Sequence, residues 1–494
     1  MSTETEIKLS LSASTASRLL KHGLLCGIEP QRQLLINTYY DTPDGRLRDE
    51  KVVVRYRRKG REWLFGVKTS VPLSGGLAQR KEWEAPGLPG EFDFSQVDDS
   101  ILRDLLEALR DQLQPLFITR FRRIAWLLEP RPGVRIEVAL DRGWIDAGGR
   151  RATICEVELE LLAGAVSDLF ELASALQTSL PLHPEAISKS GRAYRLLAAA
   201  PITAVKALPV PIWAGLSTIN AFRLVALSCL NHLQCNEQGV CESDAPEFVH
   251  QARVAIRRLR SAIRVWERQL PAPFVARFDP LWQGLAKQLG EARNWDVFLE
   301  STAPILGAAF PDSVELAQLV RYAGRRRASS RKAARSVFKS ADYSRLLLDF
   351  TGALLALPEA GDGRLGTAVP GWLNKTAKRV SQRAEHALGP DYEARHRLRL
   401  AFKQLRYALE FFSPIFSPAV LQDYQQSVTA LQELLGSQND LAVAMQLTRE
   451  ALPGTKADVV HGWLAAQSDL LLPELGTLLE AFRQQGTPWA QWSP

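Results

Sequence analysis

The spacing of the apolar residues changes once along this chain of 494 residues, near residue 200. Before that point apolar and polar residues tend to alternate, which is the period of a half-buried strand. After residue 212 the apolar residues recur every three or four positions, as in an amphipathic helix. We therefore predict a multidomain protein with a β-rich domain over 1–200 and an all-α domain over 212–494. The segment 201–211 between them has three prolines and neither period, which is typical of a linker.

The first domain contains about eight short segments with strand character, separated by Gly, Pro, Asp and Asn. Helical segments are predicted from Ser14 to His22, after Ser100, and from Ala165 to Thr178. About eight antiparallel strands are enough to close a barrel around a lumen. We predict an α+β domain, an eight-stranded antiparallel β barrel or tunnel with helices packed outside it.

Charged residues occupy one face of four of these strands, while Val, Leu, Ile and Phe occupy the other face. For any single strand, the charged face could simply be solvent-exposed. If the apolar face lies under helices, the charged face lines the lumen, and separate acidic and basic strands then need a ligand to balance them. Carboxylates suit Mg²⁺ or Mn²⁺, and Arg and Lys suit phosphate. The charged residues are Glu4, Glu6 and Lys8; Arg55 and Arg57; Arg120 and Arg122; and Glu156, Glu158 and Glu160.

The second domain repeats a row of basic residues after 146 positions. The first row is His250, Arg253, Arg257 and Arg260, and the second is His396, Arg399, Lys403 and Arg406. Leu289-Gly290 and Leu435-Gly436 are separated by the same distance. We therefore predict a duplicated helical bundle, with repeats at about 212–355 and 356–494.

Each row lies on one stripe of a helix, so the two rows could face each other across a groove. Arg and Lys bind phosphate oxygens, and interleaved aromatic residues for stacking bases are missing from both rows. A polyphosphate chain without bases is therefore the better match than nucleic acid. A wet face of an amphipathic helix is the alternative. A further basic run, Arg321 to Lys339, has eight basic residues and no acid, and it fits either a polyanion or a solvated helix.

Composition excludes several classes of protein and of metal site. The chain has 46% hydrophobic residues and a net charge of +7, which excludes a disordered chain and favours an anionic partner for the basic half. Five cysteines and seven histidines show no zinc or disulfide spacing, so any metal should be bound by oxygen. We find no membrane span and no signal peptide, and we expect a cytoplasmic protein.

Several motifs of the first domain resemble those of CYTH domains, the triphosphate tunnel metalloenzymes. The N-terminal Glu4-Thr-Glu6-Ile-Lys8 is similar to their Glu-x-Glu-x-Lys signature, and YYDTP, VRYRR, GVKTS, RIEVALDRG, CEVELELL and SKSGRAY follow in the family's order. The second domain resembles a CHAD domain through H-x-x-R-V-A-I-R-R-L-R and L-G-x-x-R-N-x-D. The two-domain order is similar to that of bacterial CYTH-CHAD inorganic triphosphatases.

The CYTH resemblance implies a tunnel that binds a triphosphate and hydrolyses its terminal phosphoanhydride with Mg²⁺ or Mn²⁺. It implies metal binding by Glu4, Glu6, Glu156 and Glu158, with Glu160 as a neighbouring candidate. It implies phosphate binding by Lys8, Arg55, Arg57, Lys68, Arg120, Arg122, Lys189 and Arg192. It also implies that Lys8 and a tyrosine act in catalysis, and we favour Tyr39 over Tyr40 because Tyr39 shares strand parity with Asp41.

The CHAD resemblance implies that the two basic rows bind inorganic polyphosphate. The resulting hypothesis is a tripolyphosphatase that releases pyrophosphate and phosphate, with an attached polyphosphate-binding module and an association with polyphosphate granules. Two alternatives remain open. One is a granule-targeting protein without catalysis, and the other is a CYTH enzyme that acts on nucleoside or thiamine triphosphates, including an adenylate cyclase.

Overall fold

The structure, a computed structural model, describes residues 2–69, 71–72, 75–359, 363–389, 391–452 and 457–492. The chain forms two compact units. The first comprises Met1–Thr203 and Lys339–Ala356, and the second comprises Ala204–Phe338 and Leu357–Pro494. The segment Lys339–Ala356 was assigned from the sequence to the helical half of the chain, whereas in the structure it packs with the first unit.

The described part of the first unit contains ten strands. They are β1 Ser2–Ser10, β2 Gln31–Asp41, β3 Val52–Lys59, β4 Glu62–Thr69, β5 Val71–Pro72, β6 Leu77–Pro86, β7 Gln114–Leu128, β8 Arg135–Ala147, β9 Arg150–Ala163 and β10 His183–Pro184. Eight of them form a closed antiparallel ring in the order β1, β9, β8, β7, β2, β3, β4, β6 and back to β1. The short β5 and β10 attach to β6 and β1. The predicted eight-stranded barrel is therefore confirmed.

Helices cover the apolar face of the barrel. They are α1 Ala13–Leu19, α2 Arg46–Asp49, α3 Ser100–Leu109, α4 Val166–Gln177 and α5 Lys189–Ala198. Ile7 and Leu9 of β1 are fully buried in one cluster with Leu19 of α1 and Leu169 of α4. The alternation of β1 is satisfied in this way: its apolar side chains pack under helices, and its charged side chains point to the other face.

The rest of the described chain is helical. The elements are α6 Thr218–Glu242, α7 Pro246–Val265, α8 Ala272–Val297, α9 Ala303–Ala309, α10 Val314–Phe338, α11 Ala341–Leu355, α12 Leu365–Ala384, α13 Tyr392–Phe412, α14 Pro418–Ala451, α15 Asp458–Leu470 and α16 Leu472–Gln484. A π-helical turn, Phe298–Thr302, joins α8 to α9. This confirms the all-α class of the second half. None of the described helices is long and apolar enough to cross a membrane.

Helix α11 is the exception to the division of the sequence into halves. It lies against α4 and β10 of the first unit, and its Leu348 joins the core cluster that contains Ile7 and Leu9. His183 Nδ1 of β10 is 2.9 Å from Ser344 Oγ of α11, within hydrogen-bond distance. The barrel unit therefore takes part of its core from a segment about 140 residues beyond its last sequential helix.

In the second unit, the same succession of three long helices occurs twice, as α6, α7 and α8 and then as α12, α13 and α14. Local signals set their ends: Ser217 caps α6 by accepting a hydrogen bond from Asn220 N, and Pro246 opens α7. The two helices that carry the basic rows, α7 and α13, pack against each other. The rows therefore lie on neighbouring helices.

Candidate functional site

The barrel encloses a cavity of about 660 Å³, here called the tunnel, which is lined by charged side chains of both signs. Among the described residues, the lining cations are Lys8, Arg55, Arg57, Lys59, Lys68, Arg80, Arg123 and Lys189. The lining carboxylates are Glu4, Glu82, Glu84, Glu137, Glu158 and Glu160. On β1, β3 and β9 the charged alternation thus contributes to a charged lumen and not to a solvent-exposed outer face.

Ion pairs hold the three charged residues of β1. Glu4 accepts hydrogen bonds from Lys68 Nζ at 2.9 Å and from Arg80 Nε at 2.8 Å. Glu6 pairs with Arg80 and with Lys8, whose Nζ is 3.4 Å from Glu6 Oε1. Burial raises the pKa of Glu4, but the charges of Lys68 and Arg80 outweigh burial and hold that pKa well below its usual range. Glu4 is therefore ionised at neutral pH.

Three carboxylates of β8 and β9 surround the ammonium group of Lys189. Its Nζ is 2.7 Å from Asp141 Oδ2, 2.5 Å from Glu156 Oε1 and 2.9 Å from Glu158 Oε1. One oxygen from each acid lies within 4.8 Å of the others, which is close enough to share a cation. Arg192 also pairs with Glu156. Burial lowers the pKa of Lys189, but these carboxylates outweigh burial and raise it.

Asp141 was not identified from the sequence, although it closes this cluster. It lies in RIEVALDRG, one of the motifs that carried the CYTH resemblance, and it faces Glu156 across the β8–β9 pairing. The structure also shows that three predicted site residues, Glu6, Glu156 and Arg192, are not among the described residues that line the tunnel, unlike Lys189 and Glu158. Glu156 is fully buried behind that lining.

Glu160 differs from the other acids of the tunnel because it has no ion-pair partner among the described residues. It stands directly opposite Glu6 on β1 and Glu137 on β8. Burial and the charges of Glu4, Glu137 and Glu6 raise its pKa to about 7. This corner of the tunnel therefore has a surplus of negative charge.

The strands β3 and β4 supply cations that face β6. Arg55 Nη2 is 3.0 Å from Glu82 Oε1, Arg57 Nη1 is 3.3 Å from Glu84 Oε1, and Lys68 Nζ is 2.6 Å from Glu82 Oε2. Burial and then the charge of Arg55 lower the pKa values of Arg57 and Lys68. The structure thus brings all three predicted phosphate ligands of these strands into the tunnel.

The residues of β6 that meet these cations were missed. Arg80, Glu82 and Glu84 share one face of the strand, while Trp83 is buried on the other. The sequence QRKEWEAP was identified as a strand, and the same alternation that singled out Arg55 and Arg57 would have found its charged face.

Arg120 and Arg122 do not line the tunnel, which corrects their predicted role as phosphate ligands. Both are exposed on the outer face of β7, and the guanidinium of Arg120 lies 5.6 Å from the ring centroid of Trp144. The next residue, Arg123, points inward instead. Its Nε donates to Asp141 Oδ1 at 2.8 Å, and its Nη2 pairs with Glu158.

The reason for this error is the composition of the inward face of β7. That face carries Phe121, which lines the tunnel, and Phe117, which packs in an apolar cluster with Tyr39 and Leu35. The prediction assumed that apolar residues of every strand point outward under the helices. On β7 part of the tunnel wall is itself apolar, so the two arginines of the other parity face solvent.

Tyr39 lines the tunnel, whereas Tyr40 packs on the opposite face of the sheet with its ring edge-on to Tyr56, centroids 5.6 Å apart. Burial raises the pKa of Tyr39, but Arg55 and then Lys189 outweigh burial and lower it. The Tyr39 hydroxyl therefore lies in a positively charged part of the tunnel. This position is the one that the predicted role requires.

The second unit contains a cavity of about 860 Å³, here called the basic cavity. Six of the eight predicted row residues line it: His250, Arg253, Arg257, Arg260, Arg399 and Lys403. His396 and Arg406 are not among the described residues of its lining, which corrects their predicted role. The His396 ring lies beside Tyr392, and Arg406 lies over the ring of Tyr407 at 4.6 Å.

The cations of the basic cavity face one another. Burial and then Arg257 lower the pKa of Arg253 to about 10. Burial, Arg257 and Arg399 lower the pKa of Lys403 to about 6. Burial and then Arg293 lower the pKa of His250 to about 4. Burial is the largest cause of each shift, and neighbouring cations add to it. The nine Arg and Lys residues among the described lining outnumber its three acids, Glu291, Asp440 and Glu450.

Arg293 is a cavity residue that the predicted rows did not include. It was visible in the sequence as the arginine of L-G-x-x-R-N-x-D, which had been used only as a repeat marker. The other basic run, Arg321 to Lys339, is largely neutralised: Arg327 Nε and Arg331 Nη2 both donate to buried Asp296, at 2.8 and 2.7 Å. These two arginines are therefore structural ion pairs.

Comparison with known proteins matches two family models to successive parts of the chain, and the second match includes Lys339–Ala356 of the first structural unit. The CYTH domain model matches residues 2–194, and the CHAD domain model matches residues 225–449. An inorganic triphosphatase of Haemophilus influenzae is 33% identical over 204 residues, which are 39% of this chain and 54% of that protein, so the match spans about half of the relative. The crystal structure of the CHAD domain from Ricinus communis covers 58% of this chain and 99% of that one, with a TM-score of 0.52 and 29% identity. The chain therefore contains a CYTH domain followed by a CHAD domain.

Proposed function

We propose that the tunnel is the active site of a metal-dependent triphosphatase that hydrolyses tripolyphosphate to pyrophosphate and phosphate. The main observation behind this proposal is that one closed lumen contains both eight cations in its lining and an acidic corner around Glu160. The cations suit the oxygens of a phosphate chain, and the acids suit a hard metal ion. The similarity to an inorganic triphosphatase supports this choice of substrate.

The acidic corner fits a divalent cation because its carboxylates repel one another. Glu160 lies opposite Glu6, and burial with neighbouring acids raises its pKa to about 7. We assign Glu4, Glu6, Glu158 and Glu160 as the ligands. Bound Mg²⁺ or Mn²⁺ would neutralise phosphate charge as the phosphoanhydride bond breaks. The predicted ligand Glu156 is instead held by Lys189 and Arg192, so we assign it to positioning those two side chains.

The chain's own residues would bind and orient the triphosphate. Arg55, Arg57 and Lys68 lie along one wall, and Lys8, Arg123 and Lys189 lie along another. Because burial and Arg55 lower the pKa values of Arg57 and Lys68, an anion bound there would raise those pKa values again and stabilise the charged forms. The Tyr39 hydroxyl would donate a hydrogen bond to a phosphate oxygen. Water then attacks the terminal phosphorus, the bond to the bridging oxygen breaks, and pyrophosphate leaves.

The decisive experiment measures phosphate release by the full chain from tripolyphosphate, ATP, thiamine triphosphate and long-chain polyphosphate, each with Mg²⁺, with Mn²⁺ and with a chelator. We expect tripolyphosphate to be hydrolysed fastest and the chelator to abolish release. Equal turnover of all four substrates would reject the substrate assignment. Undiminished release with the chelator would reject the metal assignment.

We further propose that the basic cavity binds inorganic polyphosphate, which would place the protein on polyphosphate granules in a cell that contains them. The supporting observation is the set of mutually repelling cations, in which burial, Arg257 and Arg399 lower the pKa of Lys403 to about 6. The aromatic residues of the lining favour a ligand without bases. Trp295 and Tyr407 are at most 2% exposed, so they present little ring surface for stacking.

The test is polyphosphate binding by a double charge reversal, Arg257→Glu with Lys403→Glu. We expect binding by the basic cavity to be lost, because each reversal removes a phosphate contact and adds repulsion. A matched control reverses two exposed lysines outside the cavity, Lys332→Glu with Lys378→Glu, and should retain binding. Equal binding by both double variants would reject the basic cavity as the polyphosphate site.

A further inference from the structure

A second basic region adjoins the basic cavity. A groove of about 740 Å³ lies between the end of α7, the start of α8, and helices α12 and α13. Arg264 and Gln404 line both the groove and the basic cavity. The two spaces are therefore adjacent, and this pair of side chains belongs to the walls of both.

The duplication of the sequence provides a second pair of positions for comparison. The residues that match Arg264 and Gln404 under the shift of 146 positions are Glu410 and Arg258. Arg258 is buried, and its Nε donates to Glu410 Oε1 at 2.7 Å. An ion pair thus joins α7 and α13 at these positions, and neither residue is among the described residues that line the basic cavity. At the matching positions, Arg264 and the neutral Gln404 both line the cavity.

The groove continues the line of cations beyond Arg264. Arg268, Lys375 and Arg379 line it, and Arg379 Nη1 donates to Gln404 Oε1 at 2.9 Å. Arg268 and Lys375 are exposed and form no ion pair among the described residues. They are therefore available to a ligand that extends out of the basic cavity.

Two acids in the lining of the groove reduce its positive charge without cancelling it. Asp279 is held by Arg260, whose Nε donates to Oδ1 at 2.8 Å, and it lies 3.9 Å from Arg264. Glu267 is the other acid of the lining. Four cations of the groove thus face two acids, one of which is already paired. From Arg253 to Arg264, α7 alone presents cations along about 17 Å of its axis, which a triphosphate would not fill.

We propose that long-chain polyphosphate leaves the basic cavity past Arg264 and occupies the groove lined by Arg268, Lys375 and Arg379. This inference rests on the proposed polyphosphate binding and adds a direction and a length preference to it. A short chain would be held by the basic cavity alone. A longer chain would gain contacts in the groove, so affinity should rise with chain length until the groove is filled.

The test measures the affinity of the full chain for polyphosphates of graded length. Arg268→Glu with Lys375→Glu should weaken long-chain binding about tenfold and leave short-chain binding within about twofold, because each reversal removes one phosphate contact outside the basic cavity. The exposed pair Lys332→Glu with Lys378→Glu has the same charge change and should bind as the unmodified chain does. The tunnel is the same in every variant and contributes equally.

A second variant copies the Arg258–Glu410 ion pair onto the matching positions of the repeat. Arg264→Glu with Gln404→Arg recreates the Arg258–Glu410 pair and should remove the gain in affinity with chain length. Unchanged long-chain binding in both groove variants would refute the groove, as would an equal loss at every length. If the unmodified chain binds no polyphosphate, the proposed ligand of the basic cavity itself fails. An equal loss of single-stranded DNA and polyphosphate binding would point to a general polyanion site.

Discussion

The tunnel and the basic cavity are both rich in arginine and lysine, yet they hold that charge in opposite ways. In the tunnel, burial lowers the pKa values of Lys8 and Lys189, but carboxylates outweigh burial and raise both. In the basic cavity, burial and other cations act in the same direction, and the pKa of Lys403 falls to about 6. Among the described lining residues, six carboxylates face eight cations in the tunnel, whereas three acids face nine Arg and Lys residues in the basic cavity.

This difference separates a site organised for a reaction from a site organised for binding. Fixed ion pairs hold the tunnel side chains in place before a substrate arrives, which favours catalysis because little reorganisation remains. Unbalanced cations favour tight association with any suitable polyanion, with a strong dependence on salt. Glu160 is the exception inside the tunnel, because it has no ion-pair partner among the described residues. Substituting Glu160 is therefore the sharpest test of the comparison.

The largest effect is expected for Glu160→Gln. This change removes a proposed metal ligand and should lower tripolyphosphate hydrolysis on the order of a hundredfold at fixed Mg²⁺. Glu171→Gln, an exposed glutamate of α4, is the control and should keep full activity. Phosphate release measures both, and normal hydrolysis by Glu160→Gln would contradict the metal assignment.

The same variant should not lose stability. A glutamate whose pKa is raised to about 7 in the folded protein destabilises the fold above its ordinary pKa, with the full penalty above pH 7. Without metal, Glu160→Gln should therefore melt at a higher temperature than the unmodified chain at pH 8 and at about the same temperature at pH 4. Lower melting temperature at pH 8 would show that Glu160 is structural.

The second prediction compares two adjacent arginines of β7. Arg123→Gln should lower kcat/KM for tripolyphosphate by about tenfold to a hundredfold, since a charge-assisted contact inside the tunnel is lost. Arg122→Gln should stay within about twofold, because Arg122 is exposed on the outer face. Steady-state kinetics on the pair tests the strand register directly, and equal losses would mean that the inward and outward faces are misassigned.

These two arginines also mark the limit of what could be predicted from the sequence. The segment TRFRRI places arginines at both parities, so alternation alone does not decide which of them faces inward. The choice depends on closure of the barrel and on an apolar patch of its wall around Phe121. The first strand had no such ambiguity, and its acids and Lys8 were placed correctly on one face.

The helical half shows a second limit. Equal offsets in two repeats predicted equal environments, and six of the eight row residues do line one cavity. The other two, His396 and Arg406, do not line it because their surroundings differ from those of His250 and Arg260. Arg406, for example, lies 3.8 Å from Glu410, whereas the first repeat has Arg264 at the position of Glu410. Helix α11 shows a third limit: its pattern predicts a helix, but nothing in that pattern indicates that Leu348 packs in the barrel core.

The third prediction uses the unbalanced charge of the basic cavity. With its pKa near 6, Lys403 is mostly neutral at pH 7.5 in the free protein. Bound polyphosphate would raise that pKa, so binding should take up a proton, and affinity should fall by up to about tenfold per pH unit above pH 6. Calorimetry in two buffers of different ionisation enthalpy measures the uptake. Lys403→Met should abolish it, and unchanged uptake would place the titrating group elsewhere.

The smallest effect is expected at one offset of the two rows, where Arg260 and Arg406 match under the repeat. Arg260→Gln should weaken polyphosphate binding by only about threefold, because Asp279 already shares the charge of Arg260. Arg406→Gln should change affinity by less than about twofold, because its guanidinium lies over Tyr407 and 3.8 Å from Glu410, outside the cavity lining. Anisotropy titration at low salt can resolve the two, since screening is weakest there. Equal losses would place Arg406 back on the binding surface, opposite Arg260, as the symmetric groove predicted from the sequence requires.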